Sequence, residues 1–150
     1  MIITYHSGAC VKITAGDTSM VFAPISKKSK NFKPTNFGAD VVFIPVIHPD
    51  MNGAEEATRG DKQPFVIFGA GEYEVKDITA AGFAATSRYE KKERINTVYS
   101  VRFDGLNVLY LGALGTSGLP AEVLEMDPPD VLILPIGDIP THIGDGTLDP

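Results

Sequence analysis

The segment FIPVIHPDMNG (43–53) places His48 two residues before Asp50, directly after an apolar run. Imidazole and carboxylate both ligate zinc and similar divalent cations. Loops at the ends of apolar strands are also where α/β folds place their sites. The neighbours that would complete a metal loop are Val46 and Met51, which bind no such ion. A lone His before Pro at the end of a strand is equally an ordinary loop residue, so the spacing alone leaves both readings open. A catalytic zinc takes three protein ligands and a water. His48 and Asp50 therefore need help from elsewhere in the chain.

The elements that must position this loop are mostly strands. Residues 2–5 and 10–14 are rich in β-branched side chains and read as strands. AGDT (15–18) is a turn, and SMVFAP is the returning strand of a hairpin. ADVVFIPV (39–46) is apolar at nearly every position, the pattern of a strand covered on both faces. NGAEEATRG (52–60) predicts a helix of about two turns with Asn52 as N-cap. PFVIF, the EYEV of GAGEYEV, and DITAAGFAAT predict further strands, and SRYEKKERIN (87–96) a charged loop. In TVYSVRF-DG-LNVLYLG two alternating runs flank Asp104-Gly105, the pair favoured in a two-residue hairpin turn. GLPAEVLEM (118–126) predicts a short helix with Pro120 in its first turn. PDVLILPIGD (129–138) predicts a second fully apolar strand. Asp149-Pro150 reads as a helix start.

Composition narrows the function classes. The chain has 150 residues, enough for one domain with a substantial core. Its net charge of −6 disfavours nucleic acid as a partner. The single cysteine, Cys10, permits no internal disulfide, which fits a cytoplasmic location. No apolar run approaches the ~20 residues of a membrane helix, so no membrane partner is expected. Cys10 reads as a small buried hydrophobe. GAGEYEV lacks the Lys and following helix of a phosphate loop; its Glu72 and Glu74 share one face of a strand. Lys27, Lys28, Lys30 and Lys33 read as a solvated loop, and Tyr5, Tyr73, Tyr99 and Tyr110 as sheet packing.

Taken in order, ITYHSGACVKI, VFAP, ADVVFIPVIHPDMNG, FVIFGAGEYEV, NTVYSVRFDGLNVLYLGALG and PDVLILPIGD resemble the metallo-β-lactamase superfamily, in its uncharacterised Zn-dependent hydrolase-like branch. The resemblance runs over essentially the whole chain. It implies an α/β (α+β) fold, an αββα sandwich of two mixed β-sheets, incomplete at its C-terminal end. Residues 1–150 would then be a single domain lacking the last helix and strand. For intact members it also implies a two-metal hydrolytic site, in which paired ions activate a bridging hydroxide and polarise the scissile bond.

Against the family's His-x-His-x-Asp-His loop, Val46 and Met51 stand where the outer histidines belong, while His48 and Asp50 are kept. A later family His falls near Thr86 and Ser87, the bridging Asp falls on Ala113, and an Asp-Pro falls on Ala23-Pro24. The family's final His would lie beyond Pro150. The remaining histidines are His6, which reads as a strand-edge residue, and His142. The latter follows a strand that runs towards the site in the family, so it is a candidate helper, as are Asp138 and Asp145.

These replacements lead us to expect a non-catalytic member of the fold with no cofactor. The alternative is a metal-dependent ester or phosphoester hydrolase with a reduced site. There His48 and Asp50, helped by His142 or a neighbouring chain, would hold zinc or another divalent metal, and Asp50 would be the catalytic carboxylate. A missing last strand exposes apolar surface, so a homo-oligomer such as a dimer, or a longer parent chain, is also expected.

Overall fold

Side chains alternate across a strand, so each strand here offers one row of residues to an interior and one to the outside. The structure is a computed structural model and describes residues 1–115 and 118–135. Five strands form the first sheet: β1 (Ile2–Ser7), β2 (Cys10–Ala15), β3 (Thr18–Phe22), β4 (Val41–Ile44) and β5 (Phe65–Phe68), in that spatial order. The first three are antiparallel neighbours, and β4 and β5 join in parallel. The second sheet holds β6 (Gly71–Val75), β7 (Ile78–Ser87), β8 (Arg94–Phe103), β9 (Leu106–Tyr110) and β10 (Val131–Ile133). It is antiparallel except for the β9–β10 pair. Both sheets are therefore mixed, as the expected sandwich requires.

The inner rows meet in one cluster. Ile13, Met20, Phe22, Val41, Phe43 and Ile67 from the first sheet pack with Ile78, Tyr99, Val101, Phe103, Val108 and Tyr110 from the second. Phe22 stacks on Tyr110 with ring centres 4.3 Å apart, and Phe43 meets Tyr99 edge-on at 5.1 Å. Each tyrosine hydroxyl crosses to the opposite sheet. Tyr99 donates to the Ile44 carbonyl and Tyr110 to the Ala9 carbonyl, both at 2.7 Å. Burial pushes the Tyr99 hydroxyl up to about 12 and that of Tyr110 well above its ordinary value, so both remain donors. On the outer face of the first sheet, Cys10, Val21, Val42 and Ile44 are covered by Ile25 and Ala57. Burial also raises the Cys10 thiol, to about 11, as suits a hydrophobe.

Several elements depart from the sequence-based expectations. The helix expected over 52–60 is a single 3-10 turn, Ala54–Ala57, capped by Gly53 and not by Asn52. The Asn52 N–H is already bonded to the His48 carbonyl, so that residue belongs to the preceding loop. The helix expected over 118–126 is one turn, α1 (Ala121–Leu124), with Pro120 at its N-cap. The last apolar strand is only three residues long and half exposed, with Leu132 49% exposed, so it is not covered on both faces. Tyr5 lies outside the sheet packing, exposed on β1 with its hydroxyl on the Gly8 carbonyl. The Asp104-Gly105 turn has positive φ at both positions, as its sequence requires. Among the described residues no helix is long and apolar enough to cross a membrane.

Two contacts hold the loops around the first sheet. Gly53 donates to the Pro24 carbonyl and Ser26 donates to the Pro49 carbonyl. A Cβ on Gly53 would press on the Ser26 amide and lie 2.5 Å from the Ile25 carbonyl carbon. At the other end Asp40 accepts the Ser19 N–H at 2.8 Å and pairs with Lys76 at 3.1 Å and Lys62 at 3.5 Å. Burial raises the Asp40 carboxyl, but the amide and the two ammonium groups outweigh it and hold the net value below 3.8. Its contribution to stability is therefore complete above that pH and is lost as pH falls through the lower folded value.

Two outcomes follow. Gly53→Ala should cost about 1–3 kcal/mol of unfolding free energy, because backbone on the facing loop cannot yield; an unchanged urea midpoint would show that the two loops do not pack this way. Asp40→Asn should lower stability at pH 7 and narrow its gap to the parent protein below pH 3.8. A gap that is constant across that acid range in thermal melts would contradict the assignment.

Candidate functional site

The loop leaving β4 turns at once. The His48 N–H returns to the Val46 carbonyl, and the His48 carbonyl accepts both Met51 and Asn52. This tight winding brings the Asp50 N–H to His48 Nδ1 at 3.0 Å. Both side chains turn inward: His48 is 8% exposed and Asp50 1%.

Asp50 is the centre of the site. Ser29 Oγ donates to its Oδ1 at 2.6 Å. Asn31 Nδ2 and the Tyr89 hydroxyl donate to its Oδ2 at 2.9 and 2.7 Å. Ser29 is set for this by its own loop, since its Oγ accepts the N–H groups of Asn31 and Phe32. Burial, followed by the bond to Asp50, drives the Tyr89 hydroxyl far above its ordinary value, so it stays a donor.

Glu90 completes the cluster. His48 Nε2 lies 2.6 Å from Glu90 Oε1, and Asn31 Nδ2 also reaches Glu90 Oε2 at 3.0 Å. The His48 bond is the main reason the Glu90 carboxyl sits below its ordinary value. Glu90 and Lys91 both have left-handed backbone, with φ of 53° and 60°. For non-glycine residues this costs on the order of 1–2 kcal/mol each. The adjoining Tyr89 carbonyl is held by Arg94 Nε at 3.2 Å.

His48, Asp50 and Glu90 each offer a ligand atom, all within 4.8 Å of one another. One nitrogen and two carboxylates suit a divalent cation in type. Their hydrogen bonds do not fit one as arranged. The Asp50 N–H occupies the lone pair of Nδ1, which leaves the ring proton on Nε2, shared with Glu90. A cation at Nε2 needs that proton gone and Nδ1 turned away from the amide. Asp50 Oδ2 likewise already accepts two donors, and Oδ1 one. The family's paired-metal centre fits less well still: Val46 is 0% exposed, Met51 1% and Ala113 9%, and all three pack in the apolar core between the sheets. Ala113 is fixed there by its N–H on the buried Asn96 Oδ1 at 3.1 Å.

The sequence reading found two members of this site, His48 and Asp50, and missed Ser29, Asn31, Tyr89 and Glu90. The expected charged loop over 87–96 contains the Tyr89–Lys91 turn and the start of β8, and the buried Tyr89 anchors it. Glu90 stands 42 residues from His48, so no local spacing could pair them. The solvated lysine loop proves to carry two of the site's donors between its lysines. His6 is not part of the cluster; its ring lies tilted against Phe37, with centroids 4.4 Å apart. His142, Asp138 and Asp145 lie outside the described residues.

Comparison with known proteins agrees with this architecture. A candidate Zn-dependent hydrolase of the metallo-beta-lactamase superfamily from Thermotoga maritima superposes with a TM-score of 0.60 at 26% identity, over 90% of this chain and 61% of that one. The chain thus spans about three-fifths of that relative's length. A candidate metal-dependent hydrolase from Parabacteroides distasonis gives a TM-score of 0.64 at 18% identity, over 89% of this chain and 69% of the other. The diiron β-hydroxylase CmlA from Streptomyces venezuelae shares the fold at 14% identity and a TM-score of 0.58, over 87% and 33% of the two chains. No curated protein matches. Residues 2–148 match the family described as the beta-lactamase superfamily domain. With two five-stranded mixed sheets packed face to face and a matched segment of nearly full length, the chain belongs to the beta-lactamase superfamily.

Proposed function

We propose that this chain is a non-catalytic member of the metallo-β-lactamase fold, in which the loop around His48 and Asp50 is a metal-free clamp. The observation that carries the reading is the Asp50 carboxylate. It is buried, with Ser29 donating to one oxygen and Asn31 and Tyr89 donating to the other. These donors come from two other segments of the chain, so the carboxylate ties three loops into one rim. Val46, Met51 and Ala113 support the same reading, because apolar packing fills the space in which further ligands would stand.

A second reading has one specific observation in its favour, the convergence of His48, Asp50 and Glu90 within 4.8 Å. On that reading the three residues would hold one divalent cation after giving up their present hydrogen bonds. The protein would then hydrolyse an ester or phosphoester, with Asp50 as its catalytic carboxylate.

Elemental analysis of protein purified without chelator separates the two. The clamp predicts zinc, iron and manganese far below one equivalent, with no change on His48→Ala. Near-stoichiometric metal that disappears in His48→Ala, together with hydrolysis of an ester or phosphoester, would overturn it. The clamp also predicts that Tyr89→Phe costs about 1–3 kcal/mol, the usual penalty for removing a donor from a buried polar group. Equal denaturation midpoints for Tyr89→Phe and the parent chain would remove the structural role assigned to Asp50.

A further inference from the structure

The outer face of the first sheet changes character along its strands. Cys10 and Val21 are buried beneath the 25–39 segment and the turn at Ala57. One step further along the same face stand Lys12, Thr14 and Ser19, with Thr14 directly opposite Ser19 in the β2–β3 pair. These three are only partly buried and line a cleft of about 310 Å³. That is at the lower end of the volume of small-molecule sites.

The opposite wall is a built turn. Arg59 and Lys62 exchange two backbone hydrogen bonds across Gly60, whose φ is +57°. The turn is anchored close by, where the Ala39 N–H meets the Ala57 carbonyl. The absence of a side chain at Gly38 lets the Arg59 stem lie against the loop; a Cβ there would come within 2.7 Å of Arg59 Cβ. Arg59 and Lys62 therefore line the cleft from one turn, and Lys12 lines it from the sheet.

The charges in the cleft are not balanced pairwise. Asp40 is already met by Lys62, Lys76 and the Ser19 amide. Lys12 lies over the Phe37 ring at 4.7 Å, and neither it nor Arg59 has a carboxylate partner among the described residues. Gathering three cations in one cleft runs against a chain whose net charge is −6. Guanidinium presents a planar fork matched to two oxygens of a phosphate, and the Thr14 and Ser19 hydroxyls can supply neutral donors beside it. Asp17, exposed on the β2–β3 turn, also lines the cleft. With Asp40 it leaves the lining a net charge of only +1, which favours one phosphate group over a polyphosphate.

We propose that this cleft binds the phosphate group of a small phosphate monoester, with Lys12 and Arg59 as its principal cations. It lies on the outer face of the first sheet and does not depend on the state of the His48–Asp50 cluster.

The test is an NMR titration of the ¹⁵N-labelled chain with inorganic phosphate at pH 7, against sodium chloride at matched ionic strength. The expected result is saturable shifts of the Gly16, Ser19, Gly38 and Arg59 amides with phosphate alone. The Lys12→Met/Arg59→Met pair keeps both apolar stems and should weaken binding by about tenfold or more. Arg59→Met alone, at an exposed position, gives the same comparison with less risk to folding and should weaken binding in the same direction. Shifts reproduced by chloride, shifts that never saturate, or a phosphate affinity unchanged in a folded variant would each overturn the proposal.

Discussion

A carboxylate that is 1% exposed must be compensated where it sits, because water cannot reach it. Asp50 meets this requirement with hydrogen bonds from Ser29, Asn31 and Tyr89. The cost of burying the charge is offset only while Ser29, Asn31 and Tyr89 all keep their positions. Those residues lie on the crossing between β3 and β4 and on the turn between β7 and β8. One buried group therefore dictates the path of two loops from opposite sheets and closes the rim of the sandwich over its core. The left-handed backbone at Glu90 and Lys91 belongs to the same arrangement. It turns the chain sharply after Tyr89, so that the tyrosine enters the interior while Glu90 faces His48.

The rest of the rim is apolar for a related reason. A paired-metal centre needs a polar cavity lined by many ligands, whereas a close-packed core tolerates neither voids nor unpaired polar atoms. Val46, Met51 and Ala113 extend the apolar interior up to the loop. Asn96, fully buried, holds the strand end from beneath by donating to the Leu111 carbonyl and accepting the Ala113 N–H. The Asp50 carboxylate faces donors from two loops, and these hydrogen bonds tie the rim together.

Much of the fold was legible from local pattern. Alternation marked the strands, Asp104-Gly105 marked the long hairpin, and the apolar run at 39–46 marked a strand within the sheet. Those signals work because side-chain period and turn chemistry act over a few residues. The helices expected over 52–60 and 118–126 are shorter than expected, and the helix start at Asp149-Pro150 lies outside the described residues. Gly53 and Pro120 cap single turns; at the first, the N–H groups of Asn52 and Gly53 are already bonded to the His48 and Pro24 carbonyls. The last strand is fully apolar in sequence, yet burial depends on what lies opposite, and Leu132 stands half exposed.

The sequence by itself determined the superfamily, the two mixed sheets, and the presence of His48 and Asp50 in the loop after an apolar strand. These are properties of residue identity and of order along the chain. Only the tertiary structure decided what these two residues touch. Tyr89 and Glu90 lie some forty residues away and within a run of charges that looked like a solvated loop, while Ser29 and Asn31 sit among lysines. What brings them to Asp50 is the packing of one sheet on the other. Contact across that interface depends on where strands end in space, and no local pattern encodes it.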